Sequence, residues 1–286
     1  MSRFTSIVRQ VSPPILTSIA EQLQRRWNRS GVTFTGDYDN WTRASNDATG
    51  YDDETILAKV LEAAIAVRDG KAIFERDSVL FHREEFAWPT LACLCDVAAR
   101  NQGKLRVVDF GGSLGSFFFQ HRKFLDRYDT VWTVVEQPHF VAAGRRELAS
   151  NRLHFEESIY NLEYDNDNAV LFLSGVLHYL PDPHQFVARV LMNRWDAVII
   201  DRTPLLAHYQ VDRITVQRVP PSIYAAEYPA WFFSQVRFLA LFEEHFELKS
   251  HWPSLDVYFL DGRPIQTRGL YFSARSSDLT HSIEPT

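Results

Sequence analysis

The chain has 286 residues, of which 45% are hydrophobic, 14% aromatic and 23% charged, the proportions of a globular protein rather than a disordered or fibrous one. Lys+Arg of 30 against Asp+Glu of 36 gives a formal net charge of −6, which argues against a protein that coats nucleic acid, because phosphate binding draws on clustered positive charge. A chain of this length removes about 75% of its extended surface from water, enough for one large domain with an appendage or for two small ones.

The N-terminus carries Arg3 and Arg9 but no long apolar run before Pro13 and Pro14, so no secretory signal is expected and a cytoplasmic location is. No apolar stretch of about 18 residues follows, so no transmembrane segment is expected. Residues 15–26 place Ile15, Leu16, Ile19 and Leu23 on one helical face. That predicts a helix docked on the main domain or, through Arg25 and Arg26, in peripheral contact with a membrane. Residues 30–54 are rich in Asp, Asn, Ser, Thr and Gly and read as an irregular loop carrying Trp41 and Tyr51. Helix signals return with Asp52 and Asp53 as caps, Ile56, Leu57, Val60, Leu61 and Ala64 as the apolar stripe, and Gly70 as the closing residue. A further helix over about Glu84 to Arg100 begins or bends near Pro89. It holds Cys93 and Cys95, whose spacing of two puts them on different sides of a helix, so they read as small buried side chains and not as a disulfide or a zinc site.

From Leu105 short apolar runs alternate with amphipathic segments, which predicts strands at 105–110, 130–136, 152–157, 169–174 and 195–201 with helices between them. Such alternation makes an α/β fold with a doubly wound parallel sheet, whose ligands bind beyond the carboxyl ends of the strands. After Asp201 a segment with Val219-Pro220-Pro221, Tyr224, Tyr228 and Trp231 is predicted to lead into an apolar helix near 230–245. Phe246 to His251 reads as a strand, 256–274 as a hairpin around Asp261-Gly262, and 276–286 as a mobile polar tail.

The strongest motif is Val107-Val108-Asp109-Phe110-Gly111-Gly112-Ser113-Leu114-Gly115-Ser116, a strand ending in an acid and followed by a glycine turn that opens a helix. Glycine permits the tight turn and leaves no side chain between the main-chain amides and a ligand. A dinucleotide pattern would need glycines where Ser113 and Ser116 stand; the spacing is instead D-x-G-x-x-x-G. The next strand, Thr130 to Glu136, ends in an acid 21 residues after Gly115, placed to accept hydrogen bonds from both hydroxyls of a ribose.

These residues resemble the first motif of class I S-adenosylmethionine-dependent methyltransferases, with Ser113 in place of the middle glycine. More narrowly, the chain is similar to a bacterial family of methyltransferases from surface-polysaccharide (O-antigen and capsule) gene clusters. That similarity rests on Gly50-Tyr51-Asp52, Phe74-Glu75-Arg76-Asp77, the glycine motif, Val135-Glu136-Gln137-Pro138 and Ile200-Asp201-Arg202-Thr203, and runs from about Trp41 to Phe272. The resemblance implies a mostly parallel, Rossmann-like sheet of seven strands over 101–275, with a substrate-facing insertion near 203–245 and an N-terminal helical cap over 1–100. It also implies S-adenosyl-L-methionine as cofactor. Asp109 and the loop Gly111, Gly112, Ser113 and Gly115 would lie at its methionine part, Glu136 at its ribose and Gln137 at the adenine edge. Ser158 would close the adenine pocket, with Glu156 and Glu157 as equal alternatives, and Ser174 and Gly175 would border the reactive methyl.

For an alcohol acceptor the proton needs a base. His178 is the first candidate and Asp201 the second, or the residue that orients His178; packing and strand-end roles are the alternatives. Arg202 would hold an anionic substrate group or pair with a carboxylate. Glu75, Arg76 and Asp77, with Tyr224, Tyr228 and Trp231, suit a saccharide, a nucleotide sugar or a lipid-linked glycan, although the first three also suit an internal ion-pair cluster and the aromatics a core. No clear metal constellation is present, so a metal-free O-methyltransferase is expected. The competing readings are an N-methyltransferase acting on an amino sugar or another amine, a non-catalytic cofactor-binding scaffold, and a nicotinamide-dependent oxidoreductase, the last disfavoured by Ser113 and Ser116.

Overall fold

The computed structural model describes residues 32–50, 53–76, 78–162, 169–220 and 226–275. The expectations for the helix over 15–26, for Tyr51, Asp77 and Tyr224, and for the tail over 276–286 lie outside the described residues.

The region read as an irregular loop is ordered: β1 (Thr33–Tyr38) precedes the short helix α1 (Trp41–Asp47). The polar residues that suggested a loop supply the cap, since Asn40 accepts a hydrogen bond from the Arg43 amide at 3.0 Å. Next come α2 (Asp53–Arg68), the hairpin strands β2 (Phe74–Arg76) and β3 (Val79–Phe81), and α3 (Trp88–Arg100), whose first turn contains Pro89.

The alternating part then runs β4 (Lys104–Phe110), α4 (Ser116–Leu125), β5 (Asp129–Val135), α5 (Pro138–Glu147), β6 (Leu153–Glu156), β7 (Ala169–Ser174), α6 (Pro183–Val190) and β8 (Ala197–Thr203). These strands pair in parallel in the order β6-β5-β4-β7-β8, as their continuous apolar runs predict. Trp132 and Phe172 are wholly buried on one face with Leu94 and Val97 of α3; Leu171 and Leu173 point to the other, against Val187 of α6. Each such side chain contributes roughly 1.5–3 kcal/mol by leaving water.

The rest departs from expectation. After β8 come β9 (Leu205–Leu206), β10 (Arg213–Val219), β11 (Ala226–Ser234), α7 (Gln235–Ala240), β12 (Phe246–Leu260) and β13 (Arg263–Ala274). The helix predicted near 230–245 is thus a strand through Ser234 and a helix only over Gln235–Ala240. The reason is pairing: β11 lies antiparallel to β10 over seven residue pairs, from Arg213↔Phe232 to Val219↔Ala226.

In place of seven strands, the sheet has eleven among the described residues and is mixed, in the order β6-β5-β4-β7-β8-β13-β12-β1-β10-β11-β9. Residues 32–100 do not stand apart as a helical cap, because β1 sits inside this sheet between β12 and β10. The far edge also returns to the middle. β9 follows β8 after Pro204 alone and pairs with β11, so β8/β9, β13, β12, β1, β10 and β11 close a ring filled by Phe34, Phe232, Tyr258 and Leu260.

Candidate functional site

The carboxyl ends of β4, β5, β7 and β8 open into a cleft made of two neighbouring cavities, of about 360 and 750 Å³, that share Ile56, Gly111, Glu136, Gln137 and Gly175 on their walls. The glycine loop forms the floor. Gly111 has φ +74°, and a Cβ there would stand 2.4 Å from Cγ2 of Val176; one on Gly112 would stand 2.4 Å from the Asp109 carboxyl. Ser113 holds a left-handed φ of 56°, a conformation that glycine adopts freely. Gly115 caps α4 at φ +84° and does not line the cleft.

Two acids stand behind this loop. Asp109 is buried and accepts a hydrogen bond from the Trp132 indole at 2.9 Å. Burial pushes its carboxyl up to about 7; the indole bond opposes the shift and the charge of Glu136 adds to it. Glu136, one residue past β5, is held by the amides of Gln137 at 2.9 Å and Ser113 at 3.3 Å. Burial raises its pKa too, against those two amides. Both of its oxygens are therefore tied to main chain, one to the glycine loop and one to the residue that follows Glu136.

Ser174, Gly175, Asp201 and Arg202 line the smaller cavity, as do Glu75 and Arg76. Glu75 is buried and accepts from the Ser116 hydroxyl and the Ser78 amide, while Arg76 pairs with Glu85 at 3.1 Å. The hairpin thus reaches the cleft and is also tied to α4. Asp201 accepts from the Thr90 hydroxyl at 3.0 Å on one oxygen, and from Ser254 and the Arg202 amide on the other. Burial raises its pKa against those donors. Arg202 has φ +54° and its Nε pairs with Asp256. The carboxylate alternative for Arg202 is therefore realised within the chain.

His178 stands apart from these residues. It lies in a 3₁₀ turn, Leu177–Tyr179, wholly buried and outside the walls of both cavities. Its Nε2 is 3.3 Å from the Tyr258 hydroxyl, and its Nδ1 has no hydrogen-bond partner among the described residues. Burial, with the Arg202 charge, pulls its pKa down to about 3, so the ring is neutral at physiological pH.

Ser158 is likewise outside both cavities; it caps a 3₁₀ turn by accepting from the Tyr160 amide, and Glu157 lines the larger cavity instead. Tyr228 lines that cavity with Trp41 and Tyr179, whereas Trp231 stacks on Trp41 and donates its indole hydrogen to the Leu180 carbonyl. Sequence reasoning missed Phe117 and Gln120 of α4, Lys59 of α2, and above all Asp256 of β12, all on the cavity wall. Asp256 carries a readable signal. It belongs to the alternate series Trp252, Ser254, Asp256, Tyr258 and Leu260, all buried, in which two polar residues interrupt an apolar strand face.

No protein-family model matches the chain, and no curated protein matches it. Among solved structures, it is similar to a Burkholderia thailandensis 1,6-didemethyltoxoflavin N1-methyltransferase with bound 1,6-didemethyltoxoflavin and S-adenosylhomocysteine, at 14% identity, over 79% of this chain and 92% of that one, with a TM-score of 0.44. It is similar to the glycopeptide N-methyltransferase MtfA complexed with S-adenosylmethionine, at 14% identity, over 64% of this chain and 92% of that one, with a TM-score of 0.43. A third, the mitomycin 7-O-methyltransferase MmcR, shares 18% identity over 65% of this chain and 54% of that one, with a TM-score of 0.40. Likenesses this distant assign no activity, and the functional reading rests on the cleft itself.

Proposed function

We propose that the protein is an S-adenosyl-L-methionine-dependent O-methyltransferase acting on a sugar or sugar-bearing intermediate of surface-polysaccharide assembly. The observation that carries the cofactor is the loop wall: Gly111 and Gly112, packed so closely on Val176 and Asp109 that neither could carry a side chain, line the same cavity as the carboxylate of Glu136 at the neighbouring strand end. That cradle fits a nucleoside bearing a short charged chain. When bound, the cofactor supplies an electrophilic methyl group on a positively charged sulfur.

This chain's own residues do the rest. Glu136 accepts hydrogen bonds from vicinal hydroxyls, and Gln137, exposed beside it, lines the edge where a purine would lie. Ser174 and Gly175 keep the wall between β7 and β8 small, so an acceptor can approach closely, and positioning of that kind supplies several kcal/mol of the barrier. Of the two sequence candidates for the base, Asp201 is the one on the cavity wall. The sugar acceptor is inferred from the polysaccharide-family resemblance and from the aromatic wall of Trp41, Tyr179 and Tyr228. The acids at the β8 end also suit an ammonium group, which keeps an N-methyltransferase as the second reading.

Calorimetric titration with S-adenosylhomocysteine tests the cofactor. Micromolar binding to the unaltered protein that weakens tenfold or more in Glu136→Ala, about 1.4 kcal/mol, is the expected result. No binding, or binding of NADH instead, would end the reading. An acceptor screen of sugar alcohols against amino sugars then separates oxygen from nitrogen transfer, and binding without turnover on any acceptor would favour a scaffold.

A further inference from the structure

We propose that Asp256 receives the acceptor, taking a hydrogen bond from one of its hydroxyls through Oδ1, and that this end of the cleft therefore selects a hydroxyl-bearing acceptor without negative charge. The proposal rests on the methyltransferase reading and deepens it.

The argument begins with hydrogen-bond capacity. An ionised carboxylate offers about four acceptor sites and is costly to bury without donors. Along this cavity the other acids have protein donors: Asp109 has the Trp132 indole, Glu136 two amides, Glu75 a hydroxyl and an amide, and Asp201 two hydroxyls and an amide. Asp256 engages Arg202 through Oδ2, and no protein donor reaches Oδ1 among the described residues. The residue is 7% exposed and lies on the cavity wall, so Oδ1 is left for whatever enters.

The backbone is shaped to put it there. The pairing of β12 with β13 loses register between Pro253 and Val257, the irregularity that re-aims side chains beside ligand sites. Gln266 holds this stretch by donating to the Ser254 carbonyl at 2.5 Å and the Asp256 carbonyl at 3.0 Å, and the Thr267 hydroxyl donates to the Asp256 carbonyl at 2.7 Å. Ser254 and Asp256 then meet the two residues that end the parallel sheet, Asp201 and Arg202.

Charge gives the selectivity. Asp201 and Asp256 place two carboxyl groups beside one guanidinium, Arg202, whose charge Asp256 already engages, so an entering anion finds that cation compensated. A neutral hydroxyl meets an acceptor. Of the two alternatives for Arg202, this takes the pairing with a carboxylate over the holding of an anionic group.

The test uses the full chain saturated with S-adenosylhomocysteine and matched methyl glycosides: methyl galactoside against methyl galacturonide, and methyl glucoside against methyl glucuronide, with dissociation constants from ligand-observed NMR. The neutral member of each pair is expected to bind at least tenfold more tightly. Asp256→Asn is expected to weaken the neutral glycosides fivefold or more and to cut the discrimination below threefold, with S-adenosylhomocysteine affinity changed less than twofold. Equal or tighter binding of the uronides, no binding of any glycoside, or full discrimination in Asp256→Asn would overturn the proposal while leaving cofactor binding intact. Failure of S-adenosylhomocysteine to bind would instead remove the methyltransferase reading, and the proposal with it. Should Asp256→Asn not fold, the matched pairs on the unaltered chain still decide.

Discussion

The two ends of the cleft are built from different materials. At the loop end the ligand-facing surface is main chain: Gly111, Gly112 and the amides that hold Glu136. At the β8 end it is side chains that hold one another, Asp201 with Thr90 and Ser254, and Arg202 with Asp256. The difference teaches where each end is vulnerable. The first is sensitive to an added atom, the second to a changed functional group.

The largest expected effect follows from the first half of that contrast. Gly112→Ala puts a methyl 2.4 Å from the buried Asp109 carboxyl, which has no room to retreat behind Trp132, and should cost at least about 100-fold in S-adenosylhomocysteine affinity, near 2.7 kcal/mol. A change under threefold, measured by calorimetry on folded protein, would mean that the loop is not the floor of the site.

Asp109 gives the next effect, in stability. The folded chain keeps this proton up to about 7, whereas the unfolded chain releases it near 3.8, so the folded state binds more protons between those values. Stability therefore falls as pH rises from about 4 to about 7 and levels off above. Asp109→Asn keeps an oxygen for the indole and removes that slope, and should raise the thermal midpoint at pH 8 by several degrees while leaving it unchanged at pH 4. Parallel pH profiles of the two proteins would contradict the buried, protonated carboxyl.

The smallest effect sharpens the contrast at one residue. Ser113 pays for a left-handed backbone that glycine adopts freely, so Ser113→Gly should leave stability and cofactor affinity within about 1 kcal/mol of the original. A large loss of affinity would show that the hydroxyl itself is part of the site.

The loop end was legible because its information is local. Asp109, the glycines and Glu136 are fixed by a strand, a turn and the next strand, and all five parallel strands lie within two residues of their predicted limits. The other end depends on partners far away in sequence. Nothing between Ala226 and Ser234 shows that β10 waits to pair with it, and an aromatic run ending in Ser234-Gln235 reads equally as a helix. Trp231 illustrates the cost: its composition suited a binding residue, yet its ring stacks on Trp41. His178 shows another limit. Its place after β7 was read correctly, but its burial and its contact with Tyr258, 80 residues on, come from tertiary packing that the local sequence does not carry.

The ring of strands has a consequence for the order in which the molecule can be made. β1 joins the sheet through Arg218 and Leu260, partners of Thr33 and Phe34. At about 5–20 residues per second the ribosome needs roughly 10–45 s after Phe34 to reach Leu260. Throughout that interval the parallel half can assemble, while β1 waits for β12 with that edge open, its other edge finding β10 once Val219 has been made. Ring closure is thus a late event in biosynthesis, and Arg202 pairs with Asp256 only once β12 has been made.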